Sequence, residues 1–276
     1  MAELAAPLAK RLCTAATAGS VKRIAIEGNI AAGKSTFLRL LEELNPTYRV
    51  ISEPLTKWLK VPAEGEDVTE SQQNGGNLLD MFYKEPNRWA YTFQTYACVS
   101  RLRSQLRPVA PEVLKSRNPV VFYERSVYSD RFIFAQNCHL SGLMSDMEWN
   151  LYCDWHSFLT SSLPVQLDGI IYLRTDPKKI CYGRLQKRGR PEEDTVSQTY
   201  LETLHERHED WLIHKSIKSP SHLSGVPVLS LNCDSEFEQN KSRMEDMMKS
   251  VAEFVEDGLM ESTVGESSPA KIATTN

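Results

Sequence analysis

The sequence lacks any apolar run approaching the ~20 residues that a membrane-spanning helix needs. It also lacks a C-x-x-C pair. The six cysteines, Cys13, Cys98, Cys138, Cys153, Cys181 and Cys233, are scattered through 276 residues, which argues against a disulfide scaffold and fits reduced thiols. There is no surplus of positive charge. With 32 Lys and Arg against 36 Asp and Glu the net charge is −4, so a broad basic face for a nucleic-acid polymer is not expected, whereas a small anionic ligand needs only a local cluster of cations. No internal repeat is visible. Residues 1–20 are poor in acid but carry few cations, Lys10 and Arg11 among them. They read as a disordered leader rather than a mitochondrial presequence, which places the protein in the cytoplasm or nucleus. The sequon Asn240-Lys241-Ser242 has no secretory signal to give it meaning.

What is present is a chain that is 41% hydrophobic, long enough to bury a full core. Five short apolar runs, Lys22–Glu27, Tyr48–Ser52, Pro119–Glu124, Asp168–Leu173 and Pro227–Leu231, suit strands covered on both faces. Helical patterns separate them over Gly33–Leu44, Asn87–Leu106, Ser129–Asn137, Asp146–Leu159, Pro177–Lys187, Ser197–Lys215 and Glu236–Glu256. This alternation predicts an α/β fold with a parallel sheet. The polar stretch Pro62–Gly76 reads as a surface loop. One folded domain is expected over residues 21–259, with residues 260–276 a disordered tail.

The most specific motif is Gly28-Asn29-Ile30-Ala31-Ala32-Gly33-Lys34-Ser35, followed by Thr36, which fits the phosphate-loop pattern G-x-x-x-x-G-K-[ST] between a strand and a helix. Its glycines let backbone N–H groups turn inward around phosphate oxygens, and the new helix adds its positive end. Lys34 is expected at the β- and γ-phosphates and Ser35 on Mg2+. The motif specifies a nucleoside triphosphate donor and leaves the acceptor open.

Strand C-termini border the ligand crevice in such sheets. Glu53 follows the second strand, where a carboxylate can accept a proton from an attacking hydroxyl or merely stabilise a helix dipole. Glu124-Arg125-Ser126 follows the third strand, with Glu124 able to hold magnesium and Arg125 able to neutralise a transferring phosphoryl group. Arg184 and Arg188 share a helix face and Arg190 follows a glycine hinge, so the segment reads as an arginine-rich lid. Gln94 and Arg101 share one helix face, and Asp130 and Phe134 share another. From spacing alone a structural Arg–Asp pair beside core aromatics is favoured there over a base pocket. His205 and His208, beside Glu206 and Glu209, read as a solvated charged face rather than a metal site. The five tryptophans read as core or pocket wall.

The segments GNIAAGKS, SEP, NGGNLLDMFYKEPNRW, FQTYACVSR, ERSVYSDRFIF and RGRPEED occur in that order. Together they resemble the deoxycytidine kinase/deoxyguanosine kinase family of deoxyribonucleoside kinases from about Lys22 to Glu256. The resemblance implies a P-loop kinase fold with a five-stranded parallel sheet flanked by helices, a homodimer, Mg2+, an ATP or other NTP donor and a deoxynucleoside acceptor. It implies that Glu53 is the general base, that Arg125 contacts the 5′-hydroxyl and the phosphoryl group, and that Glu124 assists magnesium. It further implies that Gln94, Arg101 and Asp130 read the base, with Phe93 and Phe134 holding the ring. Tyr83 and Glu193 would hold the 3′-hydroxyl, Ile30, Trp58 and Phe82 would line the pocket, and Glu236 and Phe237 would lie near the donor base. Pro191 in the lid and Phe82, where methionine is common in the family, depart from the pattern. The reaction expected is transfer of the γ-phosphate to the 5′-hydroxyl of deoxycytidine, deoxyadenosine or deoxyguanosine. The alternatives are a nucleoside monophosphate kinase, a regulatory GTPase, for which no N-K-x-D is present, and a catalytically dead nucleotide-binding subunit.

Overall fold

The computed structural model describes residues 21–61, 76–116, 118–259 and 273–275; the expected leader, most of the 62–76 loop and most of the tail lie outside them. Five strands, β1 (Lys22–Gly28), β2 (Tyr48–Ile51), β3 (Val120–Glu124), β4 (Gly169–Arg174) and β5 (Val228–Asn232), form the main sheet. A short sixth, β6 (Ala273–Thr275), joins its edge, so the order is β2-β3-β1-β4-β5-β6 with every pairing parallel. The five expected strands are therefore all present. Three tail residues, expected to carry no structure, pair with β5 instead.

Helices cover both faces. On one, α1 (Lys34–Leu44) packs Phe37, Leu38 and Leu41 against Ile24 and Ile26 of β1, joined by Met247 and Val251 of α9 (Lys241–Glu253). The other face carries the larger core and receives Ala25, Ile170 and Tyr172. It is covered by α2 (Leu55–Leu59), α3 (Leu78–Lys84), α4 (Pro86–Gln105), α5 (127–140), α6 (Asp146–Ser162) and α8 (198–213), while α7 (177–188) packs with Ala32 in a third, smaller core. The helix α5 begins as Val127–Ser129, widens to a π-helical stretch over Asp130–Ala135 and closes as Gln136–Leu140. In α7 a π turn, Pro177–Cys181, runs into Tyr182–Arg188, and α8 joins Gln198–His208 to a π turn at Glu209–Ile213.

Local chemistry sets these boundaries. Asn77, Ser126, Ser145, Ser197 and Asn240 each accept a backbone N–H at a helix start, which satisfies donors that have no partner within the helix. Gly189 ends α7 in the left-handed conformation at φ 58°, where L-residues with a Cβ are strained. The expected helix from Glu236 starts later, at Lys241. Glu236 turns its carboxylate onto the N–H groups of Glu238 and Gln239, and Asn240 provides the cap.

Two expectations about side chains are corrected. His208 and Glu209 are buried, not solvated. His208 stacks on Tyr172, and Glu209 accepts hydrogen bonds from the Tyr172 hydroxyl and Arg174. The i, i+3 spacing of His205 and His208 spans the edge of the buried face, which charge pattern alone does not locate. Trp155, expected in a core or pocket wall, is 56% exposed.

His156 is also buried, between Tyr128 and Tyr152, with Nε2 against the Val127 carbonyl. Burial lowers its pKa from the ordinary 6.5 to about 4. Between these values the unfolded chain binds more protons than the folded one, so the stability that neutral His156 contributes is complete above pH 6.5 and is lost as pH falls towards 4. The stability difference between wild type and His156→Gln, measured by urea denaturation, should be constant above pH 6.5 and shrink below it by up to about 1.4 kcal/mol per pH unit. A difference independent of pH would refute this assignment.

Candidate active site

The C-terminal ends of β1, β2 and β3 open into a cavity of about 880 Å³. The phosphate loop forms one side. Gly28, Ala31 and Gly33 all have positive φ, at 149°, 60° and 100°, which turns the loop back on itself. A Cβ at Gly28 would lie 2.8 Å from the Leu173 carbonyl, and one at Gly33 would lie 3.0 Å from the Phe237 ring, so both positions exclude larger residues. Asn29 faces away from the cavity, donating to the Leu201 carbonyl and accepting from the Ile30 N–H. Its contribution is to pin the loop to α8. Ala32 is fully buried in the small core that includes Cys181 and Leu185. Ile30, Ala31, Gly33, Lys34, Ser35 and Thr36 line the opening.

Lys34 lies across the loop, donating to the Gly28 and Asn29 carbonyls at 3.2 and 2.7 Å. Burial, reinforced by the Arg125 charge, lowers its pKa to about 7. An anion seated in the loop would reverse that pressure, because it favours the protonated form. Ser35 Oγ donates to Glu124 Oε1 at 2.8 Å. This pairs a hydroxyl and a carboxylate at the loop mouth, hard oxygen donors of the type that suit Mg2+. Among the described residues no cluster of three or more His, Cys, Asp or Glu could hold a metal ion. A magnesium ion would instead share its coordination with the triphosphate and water.

Opposite the loop stands a buried ionic network. Arg101 donates to Glu53 at 2.7 Å, to both Asp130 oxygens at 2.9 and 3.1 Å, and to the Glu124 carbonyl at 2.8 Å. Arg125 reaches Glu53 at 3.5 Å, donates to the Gly28 carbonyl at 2.7 Å and lies over the Phe134 ring. Its backbone is left-handed, with φ 63°, an uncommon conformation for a residue with a Cβ and one held here by its surroundings. Burial opposes ionisation of Glu53, but Arg101, Arg125 and Lys34 together outweigh it and hold its pKa below the ordinary carboxylate range. Asp130 shifts the other way: burial raises its pKa against the pull of Arg101.

The structure brings together the expected base-reading residues Gln94, Arg101, Asp130, Phe93 and Phe134, along with Tyr83, Phe82, Trp58 and Ala97. Phe82 stacks on Phe93 with ring centroids 4.8 Å apart, and Trp58 meets Phe93 edge-on. Gln94 is buried, its amide donating weakly to Cys138 Sγ. The buried Arg–Asp pair favoured by spacing is real, and it sits in the wall of this cavity. The lid also lies over it. Arg184 donates to the Ala32 and Cys233 carbonyls, while Arg188 and Arg190 both pair with Glu193. Glu236 and Phe237 border the loop end, with Phe237 packed edge-on to Phe37. Sequence reasoning missed Tyr200 and Lys187 in the lining and Glu27 beneath it. Glu27 left a readable signal, an acid at the end of a continuous apolar strand.

A parallel sheet with a phosphate loop after β1, and a carboxylate facing it from the end of β2, defines the P-loop kinase class. A family model described as deoxynucleoside kinase matches residues 24–256. Deoxycytidine kinase 1 of Xenopus laevis is 45% identical over 258 residues, covering 89% of this chain and 97% of that protein. Deoxycytidine kinase of Homo sapiens is 44% identical over 256 residues, covering 89% and 97%. The mitochondrial deoxyguanosine kinase of Xenopus laevis is 45% identical over 239 residues, covering 85% and 90%. The chain belongs to the deoxynucleoside kinase family. Nothing supports the nucleoside monophosphate kinase alternative.

Arg101→Ala would leave Asp130 buried without its cation. Thermal or urea denaturation should show a loss of about 3–5 kcal/mol, partly recovered by adding Asp130→Asn. Unchanged stability in the single variant would show that the network carries no such weight.

Proposed function

We propose that the protein transfers the γ-phosphoryl group of ATP to the 5′-hydroxyl of deoxycytidine, with deoxyadenosine and deoxyguanosine as competing acceptors. The observation that carries this reading is the Glu53 carboxylate, held by Arg101 and Arg125 in the cavity that the phosphate loop also lines. A monophosphate acceptor would call for free cations there. A neutral sugar hydroxyl needs a base. Glu53 is ionised at neutral pH because of its arginines, and it would receive the hydroxyl proton as the oxygen attacks in line. A weakly basic carboxylate suffices in this role, since the transition state is loose and positioning dominates.

Arg125, Lys34 and the lid arginines Arg184, Arg188 and Arg190 would stabilise charge on the phosphoryl oxygens. Ser35 and Glu124 would hold Mg2+, which when bound would neutralise charge on the triphosphate. Gln94 can present a donor and an acceptor to a base edge. Asp130, as an acceptor, suits a base with an exocyclic amino group, which cytosine, adenine and guanine have and thymine lacks. Tyr83 and Glu193 would hold the 3′-hydroxyl, and Phe93 and Phe134 the ring. The cytoplasm or nucleus is the proposed location, consistent with the five free cysteines among the described residues.

Glu53→Gln should lower kcat by ~10²-fold or more with nucleoside KM little changed, measured in steady-state assays across deoxynucleosides and their monophosphates with ATP and magnesium. Near-normal turnover would remove Glu53 from the base role, and preference for a monophosphate would overturn the acceptor assignment.

A homodimer is proposed on a separate observation. Met147, Leu151, Trp155 and Phe158 follow helical spacing along α6 and are all exposed, with Leu140 exposed at the end of α5. An apolar stripe of this kind on a soluble chain marks a protein-binding face. Light scattering on the eluting protein should give twice the chain mass, and Trp155→Glu with Phe158→Glu should give the monomer. A monomeric wild type would overturn the assignment.

A further inference from the structure

The end of β1 grips the segment after β3 at three successive residues. The Arg125 N–H donates to the Ile26 carbonyl at 3.0 Å, the Ser126 hydroxyl donates to Glu27 Oε1 at 2.6 Å, and the Arg125 guanidinium donates to the Gly28 carbonyl at 2.7 Å. Two of these contacts are to backbone carbonyls, which any sequence provides. The third depends on Glu27, a carboxylate with no exposure in the central strand of the sheet. Glu27 is not part of the cavity lining. Its Oε2 has no partner of hydrogen-bond geometry among the described residues, the neighbouring Ser129 hydroxyl donating instead to the Ser126 carbonyl, and a buried unpaired oxygen costs stability. Of the charges that act on Glu27, Arg125 is the strongest and Arg101 is weaker.

We propose that Glu27 is a positioning residue for phosphoryl transfer, holding Ser126 and the guanidinium of Arg125 in the geometry in which Arg125 meets the reacting groups. The proposal rests on the reading of Arg125 given above. Ser126 accepts the Ser129 N–H and takes the hydroxyl of Ser129 on its carbonyl, so one hydroxyl links Glu27 to the start of α5, which carries Asp130. The left-handed backbone at Arg125 is thus fixed on both sides, by the phosphate-loop strand before it and the capped helix after it. When it is ionised, this carboxyl acts by its charge on Arg125, Arg101 and Lys34 together. Burial raises the Glu27 carboxyl to about 7, against the pull of Arg125. A half-satisfied acid in a strand that is otherwise apolar is a cost to the fold, and such departures from local rules gather at functional sites.

The test is a double-mutant cycle with Glu27→Gln, Arg125→Ala and their combination, reading kcat, both KM values and the urea midpoint. Glutamine keeps the shape and one acceptor oxygen but removes the charge. Glu27→Gln should fold with an unchanged or higher midpoint, lose about 10- to 100-fold in kcat, and keep both KM values within about threefold. The combined variant should be no slower than Arg125→Ala alone, since residues acting as one unit are not additive. Normal turnover in Glu27→Gln, a kcat loss that tracks a fall in midpoint, or losses that multiply in the cycle would each overturn the proposal while leaving Arg125 in its role. Normal turnover in Arg125→Ala would instead remove the Arg125 reading and the inference with it. If Glu27→Gln does not fold, Ser126→Ala breaks the same contact from the other side, and normal kcat in that variant overturns the proposal equally.

Discussion

A single buried guanidinium holds the site together. Arg101, on α4, bonds to Glu53 after β2, to the Glu124 carbonyl at the end of β3, and to Asp130 on α5. A guanidinium can do this because its donors project in fixed directions in one plane, a geometry lysine does not have. In a buried site the charge must be matched, and here Glu53 and Asp130 both face Arg101 while Arg125 adds a second cation against Glu53. The network therefore does two jobs. It fixes the spacing of three strand and helix ends, and it keeps an ionised carboxylate ready opposite the phosphate loop.

The two sides of the cavity are built differently. The side around Arg101 is closely packed, with aromatic rings stacked on one another and charges buried in pairs. The side around the phosphate loop is more open. Arg188 and Arg190 are both partly exposed and both paired with Glu193, on a short 3-10 turn after the left-handed Gly189. Their shared partner Glu193 is buried, so drawing both arginines away would leave a buried carboxylate without a cation. Lys34, by contrast, is buried and hydrogen-bonded only to the carbonyls of its own loop. On one side the cations meet loop carbonyls and a single carboxylate, and on the other they are buried among Glu53 and Asp130.

Much of this was legible in the residue order. The strands were readable because a sheet covered on both faces requires continuous apolar runs, and the phosphate loop because its glycines and lysine occur in a fixed spacing. The boundary error at Glu236 arose because a turn with its own side-chain cap resembles a helix start when only periodicity is read. The reading of His208 and Glu209 failed because charged residues three and four apart look solvated until a partner such as Tyr172 or Arg174 arrives from another element. Nothing local marks Trp155 as facing outward, so residue type alone places it in a core or wall.

The sequence by itself determined the five main strands, the phosphate loop and the class of donor, since these rest on local periodicity and on motifs whose geometry is nearly self-contained; it did not give the pairing of Ala273–Thr275 with β5. It also fixed which residues were candidates for the acceptor side. Only the tertiary structure decided that Arg101, Glu53 and Asp130 form one network, that Glu27 meets Ser126 beside Arg125, and that the apolar stripe on α6 is exposed on the chain. Each of these depends on which elements become neighbours across long stretches of chain, and that is settled by packing of whole faces rather than by any local pattern.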